Sequence, residues 1–104
     1  MSMIRTTTPE HIFNFPDIDV QAEAKDLLLT YKQNDKIVFE KHLNELDVDG
    51  HEVRCAFTQE DTKGFVPNVP VKVQIKILTH GGDALASNIY TFSVKDVLND
   101  EVMK

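Results

Sequence analysis

Val71-Lys72-Val73-Gln74-Ile75-Lys76-Ile77 alternates apolar and polar residues without a break, turns over at Gly81-Gly82 and returns through Asn88-Ile89-Tyr90-Thr91-Phe92-Ser93-Val94. Successive side chains on a strand point to opposite faces, so Val71, Val73, Ile75 and Ile77 share one face while Lys72, Gln74 and Lys76 share the other. The pattern predicts an antiparallel hairpin in a sheet with one apolar and one wet side. The returning half is less regular. Leu85 and Ile89 fall on one parity and Tyr90, Phe92 and Val94 on the other, so either a bulge near Ser87-Asn88 exchanges the inward face, or Leu85 and Ile89 stay outside as an interaction patch.

Working outward, Asp26 to Lys32 and Lys36 to Leu43 also alternate, with Asn34-Asp35 between them. Asn and Asp tolerate the positive φ that a tight hairpin turn demands, which predicts a second hairpin with Leu27, Leu29, Tyr31, Ile37, Phe39 and Leu43 inward and Lys41 interrupting that face near its rim. His11-Ile12-Phe13-Asn14-Phe15 reads as a short edge strand stopped by Pro16. Val53, Cys55 and Phe57 form a further inward row. Thr58-Gln59-Glu60-Asp61-Thr62-Lys63-Gly64 carries a hydroxyl cap, an acidic residue three positions on and a closing glycine, the marks of one helical turn near 59–64, with Phe65 as its anchor. Asp17 to Lys25 fits a helical turn or, preferably, an extended connection.

Six or so strands with frequent turn signals define an all-β fold, an immunoglobulin-like antiparallel β-sandwich, with a small open β-barrel as the alternative. With 104 residues and 41% hydrophobic content the chain suits one domain. Residues 1–9, polar and closed by Pro9, read as a flexible leader. Residues 10–95 form the sandwich and 96–104 a C-terminal tail or short helix.

The formal net charge is −6, and residues 1–50 hold ten Asp and Glu against five basic residues. Such a surface repels phosphate backbones and anionic headgroups, so neither nucleic acid nor a membrane is expected as a partner. Cys55 is the only cysteine, which excludes an internal disulfide, and its inward position makes it a small buried hydrophobe. The polar start has no signal-peptide pattern and no stretch reaches the length of a membrane span, so the expectation is a protein made in the cytoplasm.

The chain offers few groups for chemistry. His11, His42, His51 and His80 are not spaced as a ligand set with one another or with Cys55. Asp47-Val48-Asp49-Gly50 imitates the middle of a calcium loop, but Glu45 stands at its first position and Ala56 where the bidentate glutamate belongs, which leaves a turn. Gly81-Gly82 lacks the helix and the Lys-Ser/Thr of a phosphate cradle. No catalytic residue, metal or cofactor is expected. The candidate interaction residues are Asp47, Asp49 and His51 in one loop, Leu85 and Ile89 after the hairpin tip, and Val97 and Leu98 in the tail.

Tyr31 to Lys41, Leu46 to Gly50, Thr58 to Thr62, Ile77 to Thr79, Ala84 to Ile89 and Val97 to Val102 together resemble a family of small uncharacterised proteins encoded in phages and prophages of Gram-positive bacteria. The resemblance spans roughly residues 9–102 and rests on turn and strand signatures. It implies a noncatalytic structural or virion-assembly module that works through protein contacts or self-association, with later incorporation into a virion left open. Two other classes stay open: a cytosolic regulator that binds a host protein through its acidic first half, and a carbohydrate-binding or adhesion module.

Overall fold

Val71 to Ile77 lies in the central strand of the larger of two sheets in a computed structural model that describes residues 1–104. In chain order the elements are β1 (Met3–Ile4), β2 (Glu10–Asn14), α1 (Val20–Glu23), β3 (Ala24–Gln33), β4 (Lys36–His42), a 3₁₀ turn (Leu43–Glu45), β5 (Asp47–Asp49), β6 (Glu52–Ala56), α2 (Gln59–Lys63), β7 (Pro70–Thr79), β8 (Ala84–Ala86) and β9 (Tyr90–Lys95). The larger sheet runs β1-β9-β7-β3-β4, with β8 also pairing β7, and the smaller runs β2-β6-β5. Two sheets facing across one core make the all-β sandwich anticipated above.

The core comes from alternation on both sides. Leu27, Leu29 and Tyr31 of β3, Val71, Val73, Ile75 and Ile77 of β7, and Phe92 and Val94 of β9 are buried on the inner face of the larger sheet. His11, Phe13, Val53, Cys55 and Phe57 are buried opposite them. Burying an aliphatic or aromatic side chain of this size stabilises the fold by about 1.5–3 kcal/mol relative to leaving it in water. Burial also pushes the Cys55 thiol up to about 12, as expected of an inert core cysteine.

Local signals act where they were read. Asn34 and Asp35 both take positive φ, 51° and 62°, in the two-residue turn between β3 and β4. Thr58 caps α2 by accepting from the Asp61 amide at 3.1 Å, and the Asp61 carboxylate accepts from the Thr58 amide at 2.9 Å. Phe65 is buried directly after it.

Three expectations are corrected. The first nine residues do not form a detached leader: Met3 is buried, β1 pairs with Val94 and Lys95 in parallel, and the Thr7 amide donates to the buried Thr62 hydroxyl at 3.1 Å. Asp17 to Lys25 contains the helical turn α1, capped by the Asp19 carboxylate accepting from the Ala22 amide at 3.1 Å. Ile37 faces outward, because the β3–β4 register shifts by one residue between the pairs Tyr31–Phe39 and Lys32–Ile37. Of the two alternatives for residues 96–104, a tail or a short helix, the structure has the tail. It runs back over the domain, with Gln59 exchanging two hydrogen bonds with the Met103 backbone at 2.8 and 2.9 Å and Arg5 held to Asp96 at 2.8 Å.

His11 is a core residue. Its Nε2–H donates to the Ser2 carbonyl at 2.8 Å and its Nδ1 accepts from the Tyr31 hydroxyl at 2.6 Å, so the neutral ring is fully satisfied. Burial lowers its pKa from the ordinary 6.5 against the opposing pull of the Ser2 carbonyl. A lowered folded-state value means that the neutral ring stabilises the fold above pH 6.5 and that this stability is lost as the pH falls below it. Exposed His51, whose Nδ1–H donates to the Ile18 and Phe15 carbonyls at 2.7 and 3.0 Å, has a raised pKa and the opposite sign. Melting temperatures between pH 5 and 8 for the wild type and His11→Phe should therefore diverge, the wild type losing more on acidification. Parallel curves would rule out the buried neutral histidine as a source of pH dependence.

Candidate protein-binding face

The outer face of the larger sheet departs from a plain solvated surface in two ways. Lys32 of β3 lies directly opposite Lys72 of β7, and Lys76 stands four residues further along β7 opposite Leu28. Like charges facing each other across a strand pair are destabilising. None of the three lysines is within ion-pair distance of a carboxylate, whereas Arg5, Lys41 and Arg54 all have carboxylate partners. On a chain of net charge −6 this is a local cationic surface.

Apolar groups sit among these lysines, placed there by two bulges. The shift at Val38 turns Ile37 outward, 55% exposed. A second shift separates β8 from β9: Ile77 pairs with Leu85, but Val73 pairs with Tyr90, which inserts one extra residue between the two ladders. Ser87 holds the irregularity, its amide donating to the Ile75 carbonyl at 2.8 Å and its hydroxyl accepting from the Ile75 amide at 3.0 Å. Gln74 Nε2 adds a bond to the Ser87 carbonyl at 3.0 Å. The extra residue lets Phe92 and Val94 face the core while Ile89 faces out, 59% exposed. Leu28, Thr30, Lys32, Ile37, Lys72, Gln74, Lys76 and Ile89 thus line a shallow groove of about 450 Å³, with Asp35 at the turn its one carboxylate.

The other candidate residues lie elsewhere. Leu85 does not share a patch with Ile89. Pairing with Ile77 puts it at the far end of the inner face, 45% exposed, in a second groove with Asp17, Ile18, Glu23, His80 and Asp83. Asp47 and Asp49 belong to a strand rather than a loop, opposite Arg54 and Glu52, and both are exposed. His51 follows the Gly50 turn, φ +57°, and latches the Phe15–Ile18 segment. In the tail, Val97 is half-buried and Leu98 completely exposed.

Sequence reading missed Lys32, Lys72 and Lys76 as a group and placed Ile37 in the core. The alternation identified the lysines as outward, but their juxtaposition depends on the β3–β7 register, which no local pattern carries. No three His, Cys, Asp or Glu side chains converge in a metal-holding arrangement, and no helix is long and apolar enough to cross a membrane. Among protein-family models and curated proteins, none matches this chain.

Proposed function

We propose that the chain is a noncatalytic binding module that docks a protein partner on the outer β4-β3-β7-β9 face, within the assembly of a phage particle. The observation that carries this reading is the juxtaposition of Ile37 and Ile89, turned out by bulges, with Lys32, Lys72 and Lys76, which have no carboxylate partner. Unpaired lysines around exposed isoleucines suit a partner surface that is apolar at its centre and acidic at its rim. The setting in a particle rests on the resemblance to phage and prophage proteins alone.

The test is capture of particle proteins from cells producing the phage by the tagged wild type, Ile89→Asp and Lys72→Glu. The wild type is expected to retain a structural protein of the particle, with retention falling as salt rises because exposed charges are screened. Each face variant should reduce it by about tenfold or more, the size expected for truncating a central contact. Capture of the same proteins by all three overturns the assignment of the face. Capture of a single host enzyme instead favours a regulator.

A further inference from the structure

We infer that the occupant of this face is residues 96–103 of a second copy of the chain, so that copies associate head to tail. The inference rests on the protein-binding reading above and adds the partner. Asp96-Val97-Leu98-Asn99-Asp100-Glu101-Val102-Met103 holds four apolar side chains, no basic group and three carboxylates, of which Asp96 and Asp100 share the single Arg5 of their own copy and Glu101 has no basic partner. That is the chemical complement of a groove with three unpaired lysines around Leu28, Ile37 and Ile89. Leu98 is completely exposed and Met103 is 78% exposed, so both anchors are bare on the isolated copy.

The tail is also presented rather than loose. Arg5 holds Asp96 at 2.8 Å and lies 3.5 Å from Asp100, and the two Gln59 hydrogen bonds fix Met103. These ties order the segment before it meets a partner, which lowers the entropic cost of docking. They also keep each tail on its own domain beside α2. The tail and the groove are different surfaces, so the contact is heterologous: repeated, it builds a ring if the rotation closes and a filament if it does not.

Leu98→Asp removes the tail anchor and Ile89→Asp the groove anchor, and because both side chains are exposed, neither change disturbs the core. Light scattering at low salt should show wild-type mass growing beyond a dimer with concentration, while each variant alone stays monomeric. An equimolar mixture of the two variants should form a dimer and stop there, since only one intact tail and one intact groove remain. A wild type that is monomeric at about 1 mM, where even a contact of about −4 kcal/mol is populated, overturns the proposal. So does a variant that associates like the wild type, or a mixture that stays monomeric. If association fails while Ile89→Asp and Lys72→Glu still lose captured particle proteins, the face remains a binding site and only the second copy is excluded. If both fail, the face itself is wrong.

Discussion

Replacing Tyr31 by alanine is expected to lower the unfolding free energy by about 3–5 kcal/mol, the usual cost of emptying a large aromatic site in a core. Tyr31 is fully buried at the junction of the two sheets, edge-on to Phe39, Phe57, Phe65 and Phe92 at centroid distances of 5.5–6.1 Å and stacked on His11 at 5.7 Å. Burial holds its phenol far above the ordinary value, so the hydroxyl keeps its proton and donates to His11 Nδ1. Tyr31→Phe separates the ring from the hydroxyl. It keeps the packing but leaves a buried acceptor on His11 without a donor, at about 1–3 kcal/mol. Urea unfolding should show the midpoint falling in the order wild type, Tyr31→Phe, Tyr31→Ala at an unchanged slope. Equal losses in the two variants would mean that the hydrogen bond, and not the aromatic cluster, dominates at this position. Against a typical stability of about 5–15 kcal/mol, Tyr31→Ala takes a small domain close to its folding limit.

The strand that carries Lys72 and Lys76 was legible because its alternation is unbroken over seven residues and the structure keeps its parity throughout. The Asn34-Asp35 turn and the Thr58 cap were legible for a different reason: each depends on backbone geometry within four residues. What failed to show was the one-residue offset at Val38 and the features set by a distant partner. Ile37 has the parity of Phe39 in the sequence, yet the bulge at Val38 turns it to the lysine face, since a shift of one residue exchanges the two sides. The bulge at Ser87 was visible as a conflict of parities between Leu85 and Phe92, although the conflict could not say that Leu85 and Ile89 would end on opposite faces.

Long-range pairing hid the rest. Met3 is a single apolar residue in a polar stretch, and nothing local indicates that it pairs with Val94, 91 positions away. His11 had the right parity, beside Phe13, but its burial depends on Tyr31 and on the Ser2 carbonyl, which together satisfy both ring nitrogens. The proposed face is legible to the same degree: its composition is local, and its juxtaposition is a property of register. A cationic groove on an acidic chain is therefore a conclusion of topology, which the net charge conceals.

Gln33 closes β3 next to Lys32, and Gln33→Ala is expected to cost about 1–3 kcal/mol through loss of a buried hydrogen-bonding group. The side chain is 3% exposed. Its Nε2 donates to the Val66 and Val69 carbonyls at 2.8 and 3.1 Å, and its Oε1 accepts from the Val66 amide at 2.8 Å. Val66 to Val69 belongs to no strand, Asn68 takes a φ of +62°, and Gln33 pins the segment to β3 while the Asn68 amide donates to the Val94 carbonyl of β9 at 2.8 Å. Hydrogen exchange should show the Val66 amide losing protection before those of β7. Gln33→Glu sharpens the test, because an ionised carboxylate would face two carbonyl oxygens. The folded state then favours the protonated acid, its pKa is raised, and the stability it retains is present below the unfolded value and lost as the pH rises. Gln33→Glu should accordingly be less stable relative to wild type at pH 7 than at pH 4, whereas an exposed glutamate would show no such difference. Because Gln33 adjoins Lys32 and the segment it holds leads into Pro70 and Lys72, loosening it should also relax the Lys32–Lys72 pair and weaken binding at the groove without touching the groove itself.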